Sequence, residues 1–150
     1  MKFKEPDSHI HLIVRGLIMQ GENIILCHLK GANYFFLPGG HIEDGESAET
    51  ALLREFHEEM EGSEYKISSF IGACENLFLL KEDIWQHEMN IILKVNVPEN
   101  IELKSKEDHL EFISVKKSDF KSQIVFPEKI KEGIVEWFEN GKSFFKEIEK

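Results

Sequence analysis

Cysteine is scarce in this sequence: Cys27 and Cys74 are the only two, too few for the dense framework that disulfide-dependent domains carry. Both lie in apolar, strand-like runs far apart in the chain, so the expectation is two reduced, buried thiols and a reducing, cytoplasmic setting. Long hydrophobic runs are missing as well. No stretch approaches the roughly 18 apolar residues of a membrane span, and the opening MKFKEPDSHIH lacks the apolar centre of a signal peptide, so neither membrane insertion nor export is expected. Positive charge is in deficit. With 18 Lys and Arg against 28 Asp and Glu, the formal net charge is -10, which repels nucleic-acid phosphates and argues against general nucleic-acid binding. No Cys or His cluster has the spacing of a zinc site.

What is present suits a single compact domain over residues 1–150. Hydrophobic residues make up 41% of the chain, and twelve Phe and two Trp supply large apolar groups for one core. Acidity of this degree remains compatible with a phosphate-bearing substrate, provided that a divalent cation supplies the missing positive charge.

The β-branched segment from His9 to Met19 and the apolar one from Ile24 to Leu29 read as two strands joined by a turn at Gly21. A short strand is expected over Tyr34–Leu37, ended by Pro38-Gly39-Gly40, where a regular ladder should not continue. From Ser47, a suitable N-cap, to about Glu61 the pattern is helical. Further strands are expected over Lys66–Asn76, Trp85–Val97 and Leu110–Val115, with a turn at Glu82-Asp83 and a charged loop over Pro98–Asp108. Pro127–Asn140 reads as an amphipathic helix, and the tail FFKEIEK as its end or a frayed terminus. Strands and helices do not alternate strictly, so the expected fold class is α/β with a mixed sheet between helices, not a doubly wound parallel sheet.

On the predicted helix, Leu52, Leu53, Phe56 and Met60 share one face, whereas Glu55, Glu58 and Glu59 share another. Like charges on an exposed face cost only a few tenths of a kcal/mol, so the helix alone does not separate a solvated face from a site. The preceding segment PGGHIEDGES does more, because its glycines let backbone groups come close to a ligand. A glycine loop beside a carboxylate face is a suitable cradle for Mg²⁺, which takes hard oxygen ligands and is held by a few carboxylates plus substrate phosphates.

Residues 37–62, LPGGHIEDGESAETALLREFHEEMEG, resemble the Nudix box at positions 40–62, usually written Gx5Ex7REUxEExGU with U a bulky aliphatic. Gly40, Glu46, Arg54, Glu55, Phe56, Glu58 and Glu59 are all in register. Glu61 and Gly62 depart from the pattern, which affects the helix exit more than the carboxylates, and the helix is expected to stop at Gly62. The resemblance implies a Nudix-type α/β/α sandwich with a loop-helix motif, and a Mg²⁺-dependent enzyme, with Mn²⁺ as a substitute, that cuts the pyrophosphate bond of a small nucleoside diphosphate derivative. Glu58 and Glu59 would be the main metal ligands, joined by the Gly39 carbonyl. Glu55 would bind metal or take a proton from the attacking water, Arg54 would hold the carboxylates, and Glu46 would pair with Arg54 or assist the metal shell. A homodimer is compatible with the resemblance.

Outside the box the expectations are thinner. Family members recruit a further acid from a loop before a late strand; Glu107 is the first choice there, with Asp108 and Glu111 beside it, and a solvated loop charge is the competing reading. Glu88 on an apolar strand and Arg15 in an uncharged one are candidates for substrate contact; for Glu88 the competing reading is a side chain that alternation turns to solvent, and for Arg15 a structural salt bridge. Tyr34, Phe35, Phe78 and Trp85 could stack on a base, although a place in the core is the favoured reading for each. Substrate markers are absent: no proline lies between Gly62 and Pro98, and Tyr65 is the only tyrosine there. A nucleotide-sensing module without turnover is the alternative function, and a 5′-end RNA pyrophosphohydrolase conflicts with the net charge.

Overall fold

The computed structural model describes residues 2–3, 9–62 and 64–148. Its strands are β1 (Lys2–Phe3), β2 (His11–Gln20), β3 (Asn23–Leu29), β4 (Gly39–His41), β5 (Lys66–Lys81), β6 (Ile84–Asn96), β7 (Leu110–Lys116) and β8 (Phe144–Lys146). They form one mixed sheet in the order β7-β3-β2-β6-β5-β8, with β1 beside β6 and β4 beside β2. The central pair β2–β6 is parallel, while β2–β3, β3–β7 and β5–β6 are antiparallel. Helix α1 (Ala48–Glu59) covers one face and α2 (Glu128–Asn140) the other, giving the expected α/β/α sandwich.

Alternation along each strand sends successive side chains to opposite faces, and the two cores follow that rule. Val14, Ile18, Leu93 and Val95 pack with Ala51, Leu52 and Phe56 of α1. Leu17, Ile71, Cys74 and Ile92 pack on the other face with Ile130 and Ile134 of α2 and with Phe120 from a short 3-10 turn at Lys117–Ser122. Full burial of one such side chain contributes about 1.5–3 kcal/mol. Both cysteines are free and buried.

Several elements differ from the sequence-based expectation. Tyr34–Leu37 is not a strand; only single bridges, Cys27 with Phe36 and Phe35 with Val125, tie it down. The glycine segment expected to end a ladder instead continues one, with Gly39, Gly40 and His41 opposite Arg15, Val14 and Ile13 of β2. The β5–β6 hairpin is longer than expected and turns at Glu82 and Asp83, both with positive φ, as a tight hairpin turn demands. The tail does not extend α2: Gly141 stops the helix in the left-handed conformation, and Phe144–Lys146 returns beside β5 in parallel. Its last two residues, like residues 4–8 of the opening segment, lie outside the described chain.

One detail of β2 positions the site. Ile18–Gln20 pair with β3, whereas Ile13–Arg15 pair with β4. Between them the Gly16 amide donates to the Pro38 carbonyl at 2.8 Å. The sheet therefore divides along this edge of β2.

Candidate active site

The glycines after Pro38 are required by what lies against them. A Cβ on Gly39, whose φ is +154, would stand 2.0 Å from the Val14 carbonyl oxygen, and one on Gly40 would stand 2.4 Å from the Glu55 carboxyl carbon. Only glycine allows β4 to lie flat on β2 and the Glu55 carboxylate to rest on the backbone. Ser47 then starts α1 by accepting a hydrogen bond from the Thr50 amide at 3.1 Å.

Arg54 ties the loop to the helix. Its Nε donates to Glu46 Oε2 at 2.8 Å, its Nη1 to Glu55 Oε1 at 3.0 Å, and its Nη2 to the His41 carbonyl at 3.0 Å and Glu46 Oε1 at 2.9 Å. Glu46 also accepts from the Glu43 amide at 2.9 Å. The Arg54 hydrogen bonds, helped by that amide, hold the Glu46 carboxyl down at about 2, and donating to Glu46 raises the Arg54 guanidinium above its ordinary value. Fork-shaped contacts of this kind set the orientation of both partners.

Helix α1 ends at Glu59, two residues before the sequence pattern suggests, and Gly62 is not its stop. Met60 turns into extended backbone and bridges Ser105, the Glu61 amide donates to the Lys104 carbonyl at 2.8 Å, and the Lys106 amide donates to the Glu59 carbonyl at 2.8 Å. The early exit draws the 104–107 loop to the end of α1, and with it Glu107. Burial first, then a hydrogen bond with Glu55 and the charges of Glu55, Glu107 and Glu58, push the Glu59 carboxyl up to about 8. Negative charge thus exceeds its local compensation, since Arg54 is shared among Glu46, Glu55 and, at 3.5 Å, Glu58.

Such a donor set suits a hard divalent cation. Among the described residues no three His, Cys, Asp or Glu side chains form a closed cage. Mg²⁺ does not need one, because it is commonly held by one or two carboxylates and completes its shell with water and phosphate oxygens.

On the α2 face, a cleft of about 910 Å³ is lined by Tyr34, Phe36, Phe78, Trp85 and Phe126, with Arg15 and Glu88 among its polar walls. Glu88 is only 5% exposed and accepts from Gln86 Nε2 at 2.8 Å and Asn76 Nδ2 at 3.4 Å. Arg15 Nε donates to Asn90 Oδ1 at 2.8 Å and its Nη1 to the Leu37 carbonyl at 3.0 Å. Burial lowers the Arg15 pKa, and the charges of Glu88 and Glu59 oppose that shift. Arg15 thus feels both the cleft carboxylate and the acidic end of α1, across the division in the sheet.

The residues singled out in the sequence fall into three groups. Glu46, Arg54, Glu55, Glu58, Glu59 and Glu107 gather at the ends of β4 and α1, with Gly39 beneath them. Arg15, Glu88, Tyr34, Phe78 and Trp85 meet in the cleft. Phe35 and Glu111 go elsewhere: Phe35 packs on the His28 ring, and Glu111 pairs with His28 at 3.1 Å. Phe36, Asn76 and Phe126 line the cleft, and Gln86 and Asn90 bond its Glu88 and Arg15, without having been expected from the sequence. For two of these a signal exists, since Gln86 and Asn90 flank Glu88 at every second position of a strand and so share its face.

Comparison with known proteins gives the family and the fold. The family model described as NUDIX domain matches residues 9–138. No curated protein sequence matches significantly. Among solved structures, the MutT protein from Methanosarcina mazei Go1 superposes with a TM-score of 0.70 at 17% identity, covering 91% of this chain and 99% of that one. A NUDIX hydrolase from Nitrosomonas europaea gives 0.65 at 18% identity over 100% of both chains. A UDP-X diphosphatase gives 0.59 at 19% identity, covering 95% of this chain and 70% of its own. At these identities the superpositions establish the fold.

Proposed function

Since the chain belongs to the Nudix family and is a Nudix pyrophosphohydrolase, we propose that it acts on a small nucleoside diphosphate derivative, such as a nucleoside triphosphate or nucleotide sugar, with Mg²⁺ as its metal and Mn²⁺ as a substitute. In this proposal residues 1–150 form one cytoplasmic catalytic domain. The observation that carries it is the uncompensated negative charge around Glu59, set against a glycine backbone and felt by Arg15 of the aromatic cleft.

Glu58, Glu59 and the Gly39 carbonyl would hold the metal, with Glu55 and Glu107 alongside. When bound, the cation offsets repulsion between the acidic site and the anhydride and favours attack by water. Glu55, placed between Arg54 and Glu59, is positioned to accept the proton that the attacking water loses. Arg54 and Glu46 keep that carboxylate in place and do not meet substrate. Arg15 offers positive charge at the junction of cleft and acidic cluster, and Glu88 forms part of the substrate wall.

Product release from nucleoside triphosphates, nucleotide sugars, ADP-ribose and dinucleoside polyphosphates, measured with Mg²⁺, with Mn²⁺ and with chelator, tests this. Chelator-sensitive turnover of at least one compound is expected. Binding of a nucleotide without any turnover would overturn the enzymatic reading in favour of a sensing module.

A further inference from the structure

We infer that Glu88 selects the base of the substrate, and that the base it selects is one presenting two adjacent N–H donors, as the Watson–Crick edge of guanine does. The inference rests on the cleft being the nucleoside site of the proposed reaction. Three features of the α2 face lead to it.

First, the cleft walls are aromatic. Phe78 and Trp85 lie near the turn of the β5–β6 hairpin, and Tyr34 and Phe126 stand together with ring centroids 5.4 Å apart. A flat apolar ring fits between such groups.

Second, the buried carboxylate on this wall is an acceptor on both oxygens. Asn76 Nδ2 donates to Oε1 and Gln86 Nε2 to Oε2. A carboxylate has about four lone-pair sites, so each oxygen keeps further capacity to accept. The cost of burying it is reduced by a ligand that donates to both and increased by one that brings an acceptor there.

Third, Arg15 does not use up the carboxylate. It donates to Asn90 and the Leu37 carbonyl, and it interacts with Glu88 through charge. Its contact with Asn90 fixes the orientation of that amide, whose buried Nδ2 has no partner among the described residues. Register puts Asn90 on the face that carries Glu88 and Cys74, so a further donor lies beneath the same wall.

Base chemistry then gives an order. Guanine offers N1–H and N2–H side by side. Hypoxanthine keeps only N1–H. Adenine and cytosine pair one amino donor with a ring acceptor, and uracil sets its single N–H between two carbonyls, so each of these turns an acceptor towards Glu88.

Binding of nucleoside monophosphates, followed by Trp fluorescence or calorimetry without metal, separates this inference from the hydrolysis itself. GMP should bind about 10- to 100-fold more tightly than AMP, CMP or UMP, with IMP between, and N1-methyl-GMP should lose the advantage. In Glu88→Gln the preference should collapse towards equality, with GMP binding weakened and AMP binding held or improved. Equal binding of GMP and AMP by the unaltered protein would overturn the inference even if hydrolysis is observed. A uniform loss across all bases in Glu88→Gln would also overturn it, showing that Glu88 serves only to balance Arg15. Should that variant melt early, the methylated and inosine ligands decide the question on the native chain.

Discussion

The two faces of the sheet arrange their charges differently. On the α1 side, Glu55, Glu58, Glu59 and Glu107 crowd around an arginine already engaged with Glu46. On the α2 side, the buried Glu88 carboxylate and the Arg15 guanidinium are spaced among aromatic rings, and each has its own neutral hydrogen-bond partners. Crowded like charges store repulsion that a cation relieves, which suits chemistry on an anhydride. Separated, fully oriented polar groups in an apolar wall instead penalise any ligand that fails to match them, which suits recognition. Damage on the first side should therefore appear in kcat and on the second in KM.

The largest expected effect is on the crowded side. Glu58→Gln or Glu59→Gln should lower turnover by several orders of magnitude with no loss of melting temperature; near-native kcat in both would break the comparison. Glu61→Ala is the control, since its side chain is exposed and its backbone contacts survive; stability should stay within about 0.5 kcal/mol. Gly40→Ala comes next. Its Cβ must displace the Glu55 carboxylate, and a shift of that order costs about 10²-fold in kcat, with little change in KM. On the quiet side, Trp85→Ala should raise KM about tenfold through lost stacking and leave kcat nearly intact. A loss confined to kcat would place Trp85 with the chemistry instead.

Smaller effects concern pH and reactivity. The Glu46 carboxyl sits at about 2 when folded against 4.5 in its ordinary state, so the unfolded chain binds the extra proton over that interval. The stability Glu46 contributes is complete above about pH 4.5 and disappears as pH falls towards 2. Unfolding of the native chain and of Glu46→Gln, compared in denaturant at descending pH, should show a gap that closes through this window. Burial, the largest cause at both positions, pushes the Cys27 thiol up to about 12 and Cys74 up to about 11. Both should resist a thiol reagent at pH 8 until the protein is unfolded.

Legibility followed locality. The chemistry of α1 can be read because its members lie within a few turns of one helix and its leading loop, where spacing alone fixes which side chains share a face. Glu107 can be named but not placed, because what brings it in is the early end of α1 at Glu59 and the pairing of Met60 with Ser105. The β4 strand escapes sequence reasoning for a related cause: glycines usually interrupt ladders, and only the closeness of the Val14 carbonyl shows why they are needed within this one. The tail escapes it because Phe144–Lys146 has little intrinsic pattern and gains its strand from the edge of β5.

By itself the sequence determined the charge balance, the apolar face of α1, and the carboxylate face with its glycine loop, since these depend on residues near one another in the chain; it suggested one core, whereas the sheet between α1 and α2 separates two. Only the tertiary structure decided that Arg15, Asn76, Phe126 and Glu88 share a cleft. Those residues come from four separate segments, and their meeting depends on strand order, register and the division of β2 between two partners, none of which local spacing encodes.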